Sequence, residues 1–357
     1  MRCFAGTVLS ILLSVQGLVC VASGSPEAPG KDVMQDTRAE TYCNPLDVTM
    51  ADPFVLFHEG IYYLYGTYDK SVNSGLAVFT SRDLVNWQKH DLAFKKTPDT
   101  WSQCHFWGPE VVFVKGEFYM YFNASTNKNP QDRPFNMRLC IAKSKSPLGP
   151  FTEIKAPFYS PKPPDEAIDQ HVFIDDDGKA YLYFTLVTVG RNEIQVVRLK
   201  DNMVEFDGEP VVCIRPTEPW ESHPWEKHVV AEGACVLKHN GYYYLTYTAN
   251  HFRDPDYCIG YATSTSPLGP WKKFEGNPIL KKTDHISGPG NGMVVPSPDG
   301  SERFIVYHVH NSPGRVGPRK LAIDRFRFVH RKGGPDVIVI DGPTHTPQRM
   351  PSGSGDK

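Results

Sequence analysis

ADPFVLFHEGIYYLYGT, residues 51–67, runs from an acidic residue through an apolar stretch and a glycine turn into an aromatic-rich stretch. The phrase returns as GPEVVFVKGEFYMYFNAS from Gly108, IDQHVFIDDDGKAYLYFT from Ile168 and AEGACVLKHNGYYYLTYT from Ala231. A fifth copy, GNGMVVPSPDGSERFIVYH from Gly290, carries a two-residue variation at its turn. The turn glycines Gly60, Gly116, Gly178, Gly241 and Gly300 lie roughly sixty residues apart, a spacing suited to propeller blades. Val, Ile, Phe and Tyr suit a pleated surface, and pairs such as Asn240-Gly241 and Asp177-Gly178 suit tight hairpins. A second echo, TSRDLVNW from Thr80, KSKSPLGPF from Lys143 and TSTSPLGPW from Thr263, predicts the turn between third and fourth strands. No segment of a dozen residues keeps a 3.6-residue period, and 31 prolines and 29 glycines oppose long helices. The reading is all-β, a five-bladed β-propeller.

In such a ring the first strand of each blade lines a central channel, so residues opening those strands converge. Aligned on the apolar runs, these positions hold Asp52, Glu110, Asp169, Glu232 and Asn291. Carboxylates gathered at one channel mouth repel one another, and stability alone does not favour them. Hard-cation binding and general acid–base catalysis both use such a cluster. Glycoside hydrolysis in particular needs one protonated acid and one ionised carboxylate on opposite sides of a sugar.

Asp-Pro at Asp52, Trp107-Gly-Pro-Glu110, the run IDQHVFIDDDG from Ile168 and Glu232-Gly233 together resemble glycoside hydrolase family 43. The resemblance spans about residues 42–341 and implies five-bladed propellers acting on arabinan, xylan and related glycans. It implies Asp52 as general base, Glu232 as general acid and Asp169 as the residue that orients the acid and tunes its pKa. It also implies inversion by single displacement, with Trp107 beside the sugar and Arg319 as a basic pocket residue. One departure concerns blade five, where the family often shows G-P-G-H with the histidine facing a channel ion or water. Here Asn291 stands in that place, as a further substrate-pocket residue. No cofactor is therefore expected, no metal ligands are assigned, and structural calcium is not favoured. Two rivals are a non-catalytic carbohydrate-binding propeller and a retaining fructosidase-type hydrolase. The second would show W-x-N-D-P-N-G around the first Asp, where this chain has VTMADPF.

Several residues have plainer readings. Asp175 to Asp177 before Gly178 read as a hairpin turn, Glu226 competes with Glu232 for the acid role, and Glu110 reads as structural or pocket-rimming rather than catalytic. His308 and His310 alternate in an apolar strand and read as one packed and one solvated histidine, while Trp220 and Trp225 suit either core filling or sugar stacking. Arg2 followed by the apolar run to Ala22 has the order of a secretory signal peptide. The expected organisation is a signal peptide at 1–24, a polar linker at 25–41, the catalytic propeller at 42–346 and a disordered tail at 347–357. Export leaves Cys43, Cys104, Cys140, Cys213, Cys235 and Cys258, as bridges or as buried thiols. Asn123-Ala-Ser125 is a glycosylation sequon. A formal net charge of −2 leaves no electrostatic footprint for nucleic acid or an anionic membrane. The expected product is a secreted or periplasmic monomer whose partner is an oligo- or polysaccharide.

Overall fold

Each of the five repeated phrases folds as the inner hairpin of a four-stranded antiparallel sheet in the computed structural model, which describes residues 41–355. The innermost strands are Ala51–His58, Cys104–Val114, Glu166–Ile174, Ala231–His239 and Gly290–Pro296. Within every blade the strands follow chain order from the inside outward. The five turn glycines have φ between +75° and +80°, the left-handed conformation that a tight hairpin asks of glycine. A 3₁₀ turn at Pro219–Glu221 is the single helical element among the described residues, and no helix there is long and apolar enough to cross a membrane. The expected signal peptide and nearly all of the linker lie outside the described residues.

Inner strands of neighbouring blades pack side by side around the whole ring, blade five against blade one included. Apolar side chains on the facing sheets form five separate cores, each filling one interface between blades. The third-to-fourth-strand turns join neighbours as well. Tyr65 of blade one donates to the Pro147 carbonyl of blade two, and Tyr183 of blade three to Pro267 of blade four at 2.6 Å. Phe151, at the end of one such turn, packs in the core shared with blade one and so cements an interface between blades.

The ring is closed by the chain ahead of blade one, which runs along the third strand of blade five. Leu46 and Met50 donate to the carbonyls of Leu321 and Arg319, and the Leu321 amide donates back to Val48. Asn44 bonds both backbone groups of Ile323, by its Nδ2 at 2.7 Å and its Oδ1 at 3.0 Å. The tail departs from expectation. Gln348–Arg349 pairs with Thr41–Tyr42, and Ser352 donates to Glu302 at 2.9 Å and to Asp299 at 2.5 Å. A polar composition suggested fraying, but these polar groups find fixed partners on blade five. The six described cysteines are all free thiols, with Cys104, Cys140, Cys235 and Cys258 buried.

Removing residues 347–357 takes away the short terminal sheet and the contacts to Glu302 and Asp299. We expect the truncated protein to unfold several degrees lower by calorimetry with its β-rich circular dichroism unchanged. An unchanged melting temperature would mean that the tail contributes nothing to closure.

Candidate active site

Near its start each inner strand carries a β-bulge. At each bulge one residue has left-handed φ: Asp52 at 48°, Gly108 at 50°, Asp169 at 49°, Gly233 at 62° and Asn291 at 48°. This corrects the alignment drawn from the apolar runs. Asp52, Asp169 and Asn291 are equivalent, but Glu232 sits one residue before its bulge glycine and Glu110 two residues after its own.

Left-handed Asp and Asn are strained, and the structure holds them by their amides. Asp52 donates its N–H to His308 Nδ1 at 3.0 Å, and Gly108 to Thr67 Oγ1 at 3.0 Å. Asp169 donates to Asn123 Oδ1 at 3.2 Å, and Asn291 to Thr248 Oγ1 at 2.9 Å. In every case the acceptor lies on the second strand of the preceding blade. Burial and the nearby Arg319 charge push the His308 pKa well down, so its ring stays neutral and can accept. Asn123 is fully buried in this role, which leaves no room for a glycan on the sequon. His310 is also packed, donating to the Phe252 carbonyl at 2.8 Å.

Above the bulges opens a cavity of about 680 Å³, within the range of small-molecule sites. Asp52, Trp107, Asp169, Glu232, Asn291 and Arg319, all singled out from sequence, line this one cavity. Glu110 does not. It lies in the narrow channel below, where His171 donates its Nδ1–H at 3.0 Å and accepts the Val236 amide at Nε2. Glu226 is also away from the chemistry, capping the His223 amide at 2.9 Å. Trp107 meets Phe135 edge to face, with ring centres 5.7 Å apart, and forms one aromatic wall.

The three pocket carboxyls have different surroundings. Asp52 receives donors only: Thr67 Oγ1 at 2.8 Å, Asn291 Nδ2 at 2.8 Å, and Arg319 through Nη1 at 3.0 Å and Nη2 at 3.4 Å. An acceptor-only carboxylate satisfies that set. Glu232 is buried and touches Tyr257 Oη at 2.7 Å and Asn192 Nδ2 at 3.1 Å. His228 holds Asn192 by its side-chain oxygen at 2.8 Å. Burial is the main cause that pushes the Glu232 pKa up to about 7; the Asp52 charge adds, while Tyr257, Asn192 and Arg319 oppose. Asp169 is pushed well above the usual range by burial, then by the charges of Glu232 and Asp52.

Tyr257 also reaches Asn291 Oδ1 at 3.0 Å, so Glu232, Tyr257, Asn291 and Asp52 form one hydrogen-bonded chain. A protonated Glu232 donates to Tyr257, which then donates to Asn291; an ionised Glu232 accepts the hydrogen bond of the tyrosine hydroxyl instead. Tyr257 and Asn192, not Asp169, therefore orient Glu232. The sequence marks neither, because each opens a third strand with no repeated motif around it.

A propeller whose axial pocket sets a donor-saturated carboxylate apart from a carboxyl protonated near neutrality has the equipment of a glycosidase. Residues 42–331 match the family model Glycosyl hydrolases family 43, and the chain belongs to that family. The crystal structure of a thermostable family-43 glycoside hydrolase superimposes with a TM-score of 0.79 at 40% identity, covering 87% of this chain and 99% of its own. A beta-D-galactofuranosidase of Aspergillus niger is 29% identical over 302 residues, 78% of this chain and 79% of the relative. An extracellular exo-alpha-(1->5)-L-arabinofuranosidase of Streptomyces avermitilis is 26% identical over 327 residues, 85% of this chain and 63% of the relative.

The raised Glu232 pKa has a stability consequence whose sign is fixed. The folded state holds this proton up to about pH 7, whereas an exposed Glu releases it near 4.5, so stability falls as pH rises across that window. Asp169 acts in the same direction. Glu232→Gln keeps a donor for Tyr257 and cannot ionise. It should stabilise the fold by up to about 3 kcal/mol at pH 8 and by little at pH 4, read from paired denaturation curves. Equal effects at both pH values would show that Glu232 folds with an ordinary pKa.

Proposed function

We propose that this glycosidase is secreted and hydrolyses arabinosyl, xylosyl or related glycosidic bonds in oligo- or polysaccharides, inverting the anomeric carbon. The observation that carries the reading is the contrast between Asp52, met only by donors, and Glu232, buried and protonated near neutrality. Asp52 takes a proton from water, and that water attacks the anomeric carbon. Glu232 gives its proton to the departing oxygen, so the glycosidic bond breaks as the new carbon–oxygen bond forms. As Glu232 loses its proton, the Tyr257 hydroxyl turns from Asn291 to the new carboxylate. Asp169 receives no hydrogen bond from a protein side chain among the described residues. It acts on Glu232 through its field and leaves its oxygens to sugar hydroxyls. Export is supported by the signal-peptide pattern of residues 1–24. The furanoside relatives put arabinofuranosides and galactofuranosides beside xylosides in a first substrate screen.

No metal enters the mechanism. Of the three carboxyls that line the channel below the pocket, Asp52 is bonded to Arg319 and Glu110 to His171, which leaves Asp169 beside Gln170, Asn291, Cys235 and Met293, a poor set for a calcium ion that wants six to eight oxygens. Gln170 lines the same channel with its Oε1 unpartnered, which suits a buried water.

The first sugar released, followed by NMR, should have inverted configuration; a retained anomer makes Asp52 a nucleophile. Glu232→Ala should lose most activity on poor leaving groups and least on activated aryl glycosides. Asp52→Ala should lose activity on both alike and recover with azide. Full activity of Glu232→Ala on a natural substrate would move the acid elsewhere. Treatment with EDTA should leave most activity, and a loss restored by calcium would place an ion in the mechanism.

A further inference from the structure

We infer that Trp225, stacked on His223, is a glycan-binding ledge for the leaving-group side of the substrate, just outside the pocket. The inference rests on the glycosidase reading above, in which Glu232 faces the departing oxygen.

The loop between blades three and four carries two tryptophans with opposite fates. Trp220 fills space: a Cβ on Gly260 would lie 2.5 Å from its ring, and Tyr247 lies 5.7 Å from it between centres. Trp225 is 74% exposed. A large apolar ring left in water needs no explanation by itself. This ring, however, is braced. His223 stacks on it with centres 4.6 Å apart and planes 3° from parallel. His223 Nε2 is fixed by Asp254 Oδ2 at 2.9 Å, and its amide by Glu226 at 2.9 Å. Asp254 is held in turn by the Asp256 amide at 2.8 Å. Lys282 pairs with Asp256 at 2.8 Å, so this His–Asp–Asp group already has a cation and serves as a brace. The loop is anchored at its other end by buried Glu221, which accepts from the Tyr247 hydroxyl and from Lys273 at 2.6 Å.

One indole face is thus covered by His223, and the indole is held before anything binds, which lowers the cost of ordering it. A flat aromatic face packs against the C–H face of a sugar ring, while the polar groups around it meet hydroxyls. Its place in the fold selects which sugar. His228 lines the pocket and steadies Asn192, which holds Glu232. Three residues of chain span at most about 11 Å, so Trp225 lies within roughly two sugar units of His228. Across the loop, Asp254 follows closely on Phe252, another pocket residue. Phe252 packs against Arg319 and ties the loop only to the pocket rim, whereas the link from His228 through Asn192 reaches Glu232 and sets the ledge beside the acid, where the leaving group emerges.

The test compares kcat/KM of the full-length enzyme on arabino- and xylo-oligosaccharides of two to six units and on the matching aryl glycoside. For wild type, kcat/KM should rise with chain length. Trp225→Ala should flatten that rise through KM, losing about fivefold to tenfold on the longer chains and less than twofold on the aryl glycoside. Trp225→Tyr should restore most of it. Equal losses at every length, or none at any length, overturn the ledge. Isothermal titration of the same oligosaccharides into Glu232→Gln, with and without Trp225→Ala, reads binding without turnover and should show the same length dependence. A wild type inactive on every glycoside defeats the glycosidase reading and the leaving-group assignment with it. Tryptophan-dependent binding in that case would leave only a glycan platform standing.

Discussion

The pocket depends on backbone amides that reach from one blade to the side chains of the blade before it. Four of the five bulge residues are held this way, by His308, Thr67, Asn123 and Thr248. Blade four is the exception, and the corresponding Thr185 has its hydroxyl unpartnered. At Asp52, Asp169 and Asn291 the bond does two things at once. It offsets the cost of a left-handed Asp or Asn, and it fixes the direction in which that side chain leaves the strand. Because His308 belongs to the last blade and Asp52 to the first, the floor is complete only when the ring is closed. Closure by residues 41–50 against blade five is therefore part of the site as well as part of the fold.

Electrostatics then separates carboxyls that share one pocket. Arg319 brings a fixed positive charge to Asp52 by two hydrogen bonds, and its guanidinium lies 5.1 Å from the centre of the Phe252 ring. Glu232 has no such cation bonded to it; its partners are a hydroxyl and an amide, neither carrying charge. The hydroxyl can serve either protonation state, because a phenol both donates and accepts. A carboxyl that must give up and regain a proton is well matched to such a neighbour.

Much of this was legible in the sequence, for a physical reason. Strand-forming runs and turn glycines are local signals, and repetition at blade spacing made the five-bladed ring readable. Asp52, Asp169, Glu232 and Asn291 were readable because they open those repeats, while Trp107 and Arg319 were reached through the family resemblance. Register was not. A bulge inserts a residue without altering the apolar run, so Glu110 and Glu232 looked equivalent although one lies in the channel and the other in the pocket. Tyr257 and Asn192 were hidden because their roles are defined by contacts with other strands. The tail misled through composition alone, since polar residues fray only when nothing nearby receives them. The two tryptophans of one loop show the same limit: their residue type is identical and their surroundings are not.

The bulge positions are alike in backbone but not in side chain. Blades two and four carry glycine there, and an added Cβ at Gly233 would lie 2.2 Å from Asn291 Oδ1, while one at Gly108 would lie 3.3 Å from Asp169 Oδ1. The empty places in two blades are what make room for the working groups of the next. A ring averaged to five identical blades could keep the hairpins and the cores, yet five like side chains would collide or repel at the axis. In a repeat protein of this kind, uniformity serves assembly and inequality serves chemistry. Recombining blades to engineer new specificities must therefore move neighbours in pairs, a glycine together with the side chain it accommodates.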